Sequence, residues 1–135
     1  MAGKESEAPQ SATIELGTWQ PNRLSVSQYL SAVGDTQPVY FDQNLVPPLT
    51  LAAWALGALL EKMSLPSGAI HSLQELEQLA PVAFDSIVRA TATLERPRRR
   101  GNLEFITAAI QMTDAAGQVV QTGKTTVLVT GDRPD

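Results

Sequence analysis

Three places in the chain carry side chains able to do chemistry. They are Asp35 directly after Gly34, the single histidine His71, and Arg96, Arg98, Arg99 and Arg100, four arginines in five residues around Pro97. A carboxylate can handle a proton. An imidazole, with an unperturbed pKa of about 6.5, is the side chain that titrates near neutrality. Guanidinium forks fit phosphate oxygens. Each residue also has a plainer reading. An aspartate after glycine stabilises a turn through its own side chain, a strand histidine is more often satisfied structurally, and clustered arginines make a solvated hairpin tip. Tyr40, a few residues past Asp35, reads as a pocket wall or core residue. With one His and no Cys, metal binding would fall to carboxylates alone. Glu75 and Glu77 share a strand face at spacing two, which is ordinary for an exposed face, and there is no Gly-rich phosphate loop.

Something must position these groups, and 135 residues point to one domain rather than two. Hydrophobic residues make up 43% and charged residues 18%, enough to bury a core of some size. The net charge of −4 disfavours a general grip on polyanions, and no aromatics interleave the arginines, so nucleic acid is not an expected partner. The polar start lacks the apolar stretch of a secretory leader, and Leu49 to Leu60 falls short of the roughly 20 residues of a membrane span. A cytoplasmic protein without membrane contact is therefore expected. Residues 1–11 and 132–135 are expected to be a disordered tail and a frayed end, with a single domain over 12–131.

Within that domain, Ala12 to Trp19 reads as a strand. Leu24, Val26, Tyr29, Leu30 and Val33 fit a short amphipathic helix that is capped by Ser25 and ends at Gly34, leaving Asp35 in a loop just beyond it. From Leu49, LTLAAWALGALLEKM is apolar on nearly every side, and such a helix must be surrounded by other elements. Pro47-Pro48 starts it and Leu65 to Gly68 stops it. Ala52, Ala53, Ala55, Gly57 and Ala58 would let a sheet approach closely, with Trp54, Leu56 and Leu59 filling wider gaps. Runs at 69–79, 85–95, 102–113 and 118–130 alternate as strands, and Asp114-Ala115-Ala116-Gly117 forms a hairpin turn. The expected fold is α+β, a curved antiparallel sheet of about five strands wrapped around a long central helix. Its edge strands invite dimerisation.

That order of elements resembles the hot-dog fold. Tyr29 followed by Gly34-Asp35-Thr36-Gln37-Pro38-Val39-Tyr40 is similar to the signature of MaoC-like dehydratases and (R)-specific enoyl-CoA hydratases: an aromatic residue, then Gly-Asp-x-Asn-Pro-hydrophobic-His. Val46-Pro47-Pro48-Leu49-Thr50 resembles the Ala-Pro-Pro approach to that family's central helix. Ile70-His71 through Glu77, then Pro81, resembles its next strand, and Gly117 through Lys124 its terminal hairpin. The resemblance spans about Val26 to Val129. It implies an acyl thioester on coenzyme A or a phosphopantetheine arm as substrate, no further cofactor, and a homodimer or a heteromer with another hot-dog chain. It also implies a lyase reaction, in which an Asp and a His activate water for addition across a trans-2-enoyl thioester or catalyse the reverse dehydration.

By the same resemblance, Asp35 matches the acid and Tyr40 stands where the His should be. A phenol with a pKa of about 10 is a poor base at neutral pH. Gln37 replaces the family's Asn. Val46 and Pro48 fall at the substrate end of the central helix, Pro48 near the backbone donor that polarises the thioester carbonyl, and proline has no N–H. Only Gln43-Asn44-Leu45 separates Asp42 from Val46, where the family carries a longer overhang that shapes the acyl tunnel. Three roles follow. The chain is a lyase using Asp35 with Tyr40 or a displaced His71, or a catalytically degenerate subunit that binds the acyl chain for an active partner, or, as the runner-up, an acyl-CoA thioesterase. The thioesterase role usually draws a carboxylate or Asn from the loop before or along the central helix; Leu49 to Leu60 contains none, and Glu61, late in that helix, is expected to face solvent. Arg98, Arg99 and Arg100 would hold the carrier's phosphates in the functional reading of the arginine run.

Overall fold

Nine elements follow one another in this computed structural model, which describes residues 12–34, 39–63 and 69–130: β1 (Ala12–Trp19), α1 (Arg23–Ala32), α2 (Val39–Asp42), α3 (Pro48–Met63), β2 (Ile70–Gln78), β3 (Val88–Leu94), β4 (Arg98–Arg100), β5 (Leu103–Asp114) and β6 (Val119–Thr130). The strands form one antiparallel sheet in the order β1-β3-β5-β6-β2, with β4 added beside β5. Bulges in the β1–β3, β2–β6 and β5–β6 pairings bend the strands and increase their twist.

The alternating runs become strands because one face of each meets the helices. Val88, Ala90 and Ala92 on β3 and Ala108, Ile110 and Met112 on β5 are buried, while their neighbours face outward. The Asp114–Gly117 turn closes as expected. The Asp114 carboxylate accepts the N–H groups of Ala116 and Gln118 at 3.0 and 2.9 Å, and Gly117 supplies the positive φ. On the outer face Arg89 grips Glu15 through two hydrogen bonds of 2.7 and 2.8 Å. That contact holds the Glu15 carboxyl below its ordinary pKa, but an ion pair so exposed adds little stability.

The structure differs from the sequence reading in three respects. α1 is capped by Asn22, and Ser25 is its reciprocal partner: the Asn22 side chain accepts the Ser25 N–H at 2.8 Å and the Ser25 hydroxyl accepts the Asn22 N–H at 3.0 Å. The arginine run contributes a short sixth strand, β4, where only a turn was expected. Finally, α3 is buried along one stripe, Thr50, Leu51, Ala55 and Leu59, while Leu49 is 57% exposed. One sheet covers one side of a helix. Of the small residues on α3 only Ala55 is buried, and a Cβ placed on Gly57 would meet nothing, while Ala90, Ala92 and Ala108 are buried on the sheet. Trp54 instead packs its ring on Trp19, with centroids 6.4 Å apart.

Candidate functional site

The segment that carries Tyr40 is held by its backbone. α2 is a single turn closed by Asn44 at φ 58°, with Leu45 N–H donating to the Tyr40 carbonyl at 2.9 Å and Asn44 N–H to the Phe41 carbonyl at 3.2 Å. These two bonds make a Schellman closure, and asparagine tolerates the left-handed position it requires. Leu45 then bridges to Ala83, and the Val46 N–H donates to the Val82 carbonyl at 2.8 Å. Pro48 opens α3 at the position where a missing N–H costs nothing. From below, Phe41 stacks on Phe84 at 5.6 Å, and the Arg23 guanidinium lies over both rings and donates to the Phe41 carbonyl.

Between α2, the first turn of α3 and the segment following β2 lies a cavity of about 280 Å³. Tyr40, Val46 and Pro48 line it together with Gln78, Leu79 and Val82. Three of the residues singled out from the sequence are thus brought together. Asp35 and Gln37 lie outside the described residues. At its rim the sheet is tied to the helix start by Gln121, 3% exposed, whose carboxamide nitrogen donates to the Pro48 carbonyl at 3.0 Å. The same nitrogen donates to the Gln78 side-chain oxygen at 2.7 Å. Sequence reasoning missed Gln78 and Gln121. The available signal was a glutamine on each of two strands, which becomes meaningful once β2 and β6 are known to pair.

Other candidates are elsewhere. His71 is on β2 opposite Val127, seven residues from Gln78, which is roughly 23 Å along the strand at about 3.3 Å per residue. The row Arg98, Phe105, Leu128, Ile70 crosses the sheet at that same end, so the arginines are also remote from the cavity in one protomer. They are exposed, with Arg99 4.0 Å from Glu104. Glu61 is exposed and about 20 Å along α3 from Pro48, at about 1.5 Å per residue. A larger hollow of about 710 Å³ on the outer sheet face, around Glu75, Glu77, Thr122 and Lys124, is lined mainly by the polar side of the strands. Among the described residues no group of three His, Asp or Glu could hold a metal, and no helix is long and apolar enough to cross a membrane.

A six-stranded antiparallel sheet in the order β1-β3-β5-β6-β2 with β4 beside β5, and the long helix α3 placed between β1 and β2 in the chain, decides the fold. This chain has the hot-dog fold. No protein-family profile matches it, and no curated protein sequence does. Solved structures do. The 3R-hydroxyacyl-ACP dehydratase complex HadBC from Mycobacterium tuberculosis matches with a TM-score of 0.73 at 14% identity, over 89% of this chain and 96% of that one. The (R)-hydratase of A. caviae, involved in PHA biosynthesis, matches with 0.67 at 20% identity, over 87% and 92%. A MaoC-like dehydratase from Rhodospirillum rubrum matches with 0.63 at 15% identity, over 96% and 97%. These three neighbours are named as dehydratases and a hydratase, the kind that the sequence resembles.

Proposed function

We propose that this chain is a hot-dog subunit of the (R)-hydratase and 3-hydroxyacyl dehydratase type that binds an acyl thioester and depends on a second hot-dog chain for the proton-transferring pair. The observation that carries the proposal is the composition of the 280 Å³ cavity at the start of α3: an apolar pocket of the right place and kind, with a phenol at Tyr40 and a proline at Pro48. A pocket this size lies just under the roughly 300 Å³ lower end of small-molecule sites, which favours a short acyl group. His71, the only imidazole, lies at the far end of β2 from it. The half-covered outer stripe of α3 and the edge strand β2 leave surface for a partner, and the HadBC neighbour is itself a complex.

The purified chain alone is expected to bind crotonyl-CoA while neither hydrating it nor releasing free thiol from acyl-CoA. Turnover abolished by Asp35→Asn would make it a self-sufficient lyase, and thiol release would make it a thioesterase. The arginine hairpin gives a further expectation. Because it lies remote from the cavity, replacing Arg98 and Arg99 together by alanine is expected to change the affinity of the isolated chain for coenzyme A less than about twofold at low salt, where surface charge effects are largest. A several-fold loss in a calorimetric titration would instead identify the hairpin as a phosphate grip.

A further inference from the structure

Gln78 and Gln121 face each other across the β2–β6 pairing, and the chain of hydrogen bonds through them has only one consistent orientation. Both ends of the relay are backbone carbonyl oxygens, which only accept. Gln121 must turn its nitrogen to the Pro48 carbonyl, 3.0 Å away, and the second hydrogen of that nitrogen goes to the Gln78 oxygen at 2.7 Å. Gln78 is thereby forced to present its own nitrogen to the Ala80 carbonyl, at 2.7 Å. One N–H of Gln78 is left over. It has no acceptor among the described residues, and it belongs to a half-buried side chain that lines the cavity.

Resting on the acyl-thioester reading above, we infer that the Gln78 carboxamide is the donor that binds the thioester carbonyl oxygen, replacing the backbone N–H that Pro48 cannot supply. Two polar side chains line this cavity, Tyr40 and Gln78. The Tyr40 hydroxyl has no hydrogen bond among the described residues, whereas Gln78 is pinned on both sides. A pinned donor binds an acceptor without first losing rotamer freedom. Gln121 is then a positioning residue, setting which way the Gln78 amide points.

The test compares butyryl-CoA with S-butyl-CoA, its thioether without the carbonyl, by calorimetric titration. The wild-type chain is expected to bind the thioester roughly five- to tenfold tighter, the worth of about one neutral hydrogen bond. Gln78→Met is expected to bring the thioester and the thioether to the same affinity. Gln78→Glu, which keeps an acceptor for Gln121 and removes both donors, is expected to lose the preference as well, and Gln121→Met to narrow it. Equal wild-type affinities would overturn the inference while leaving the acyl reading intact. So would a preference that survives Gln78→Met and Gln78→Glu, or one that only Tyr40→Phe removes. A wild-type chain that binds neither compound overturns the acyl-thioester reading, and the carbonyl donor with it.

Discussion

Tyr40→His is expected to give the isolated chain hydration of crotonyl-CoA at least about 10²-fold above the wild-type level, the lower end of what a well-placed general base contributes. Tyr40 lines the cavity, and on the proposed function what is missing at this position is a group that takes a proton near neutral pH. The exchange leaves the backbone alone, because α2 is fixed by the Leu45 and Asn44 N–H bonds and by the Phe41–Phe84 stack, none of which uses the Tyr40 ring. Imidazole is also smaller than phenol, so a half-buried site accepts it without overpacking. The rate should rise with pH through a value near 6.5, as an imidazole acting as base must lose its proton first. Adding Asp35→Asn to Tyr40→His should return the rate to baseline, since the proposed chemistry needs the pair. A folded Tyr40→His chain that binds crotonyl-CoA yet stays silent would show that this tyrosine does not stand in the place of the base.

How much of this was legible in advance depends on how local each signal is. The limits of β1, the four later strand runs and the Asp114–Gly117 turn follow from alternation and turn chemistry within a dozen residues, and they match the structure closely. The remote features do not work that way. β4 is three arginines with no apolar alternation; it pairs because β5 outruns β3, which reaches only as far as the Leu94–Ala108 pair and leaves Leu103 to Phe105 an open edge. The Gln78–Gln121 contact joins residues 43 apart, and nothing in either strand announces that β6 inserts between β5 and β2. The uniformly apolar α3 misled in a third way. Composition reports that a helix avoids water, not which chain covers each side, and in one protomer only the Thr50, Leu51, Ala55 and Leu59 stripe is buried, with Trp54, Leu56, Ala58 and Met63 partly covered. The motif around Asp35 supplied a family resemblance, while its geometry lies outside the described residues.

The one-sided burial of α3 has a large thermodynamic consequence. Leu51 is fully buried, among the largest side chains so enclosed, and Leu51→Ala is expected to cost about 2–5 kcal/mol from lost transfer energy and the cavity left behind. Against a total of about 5–15 kcal/mol for a domain of ordinary stability, that is a heavy loss. It should lower the melting temperature by roughly 10–15 °C, taking about 3 kcal/mol as the loss and a chain of this length. Leu49, two positions earlier, is 57% exposed. Leu49→Ala removes the same atoms from the same helix, and in a lone protomer it should shift stability by less than about 0.5 kcal/mol. Urea titration of both variants at several protein concentrations separates two states of the molecule. Leu49→Ala is near neutral throughout if α3 keeps its outer side in water. A cost approaching that of Leu51→Ala, growing with concentration, would mean that a second chain buries Leu49, because a partner that binds only the folded state adds stability by mass action.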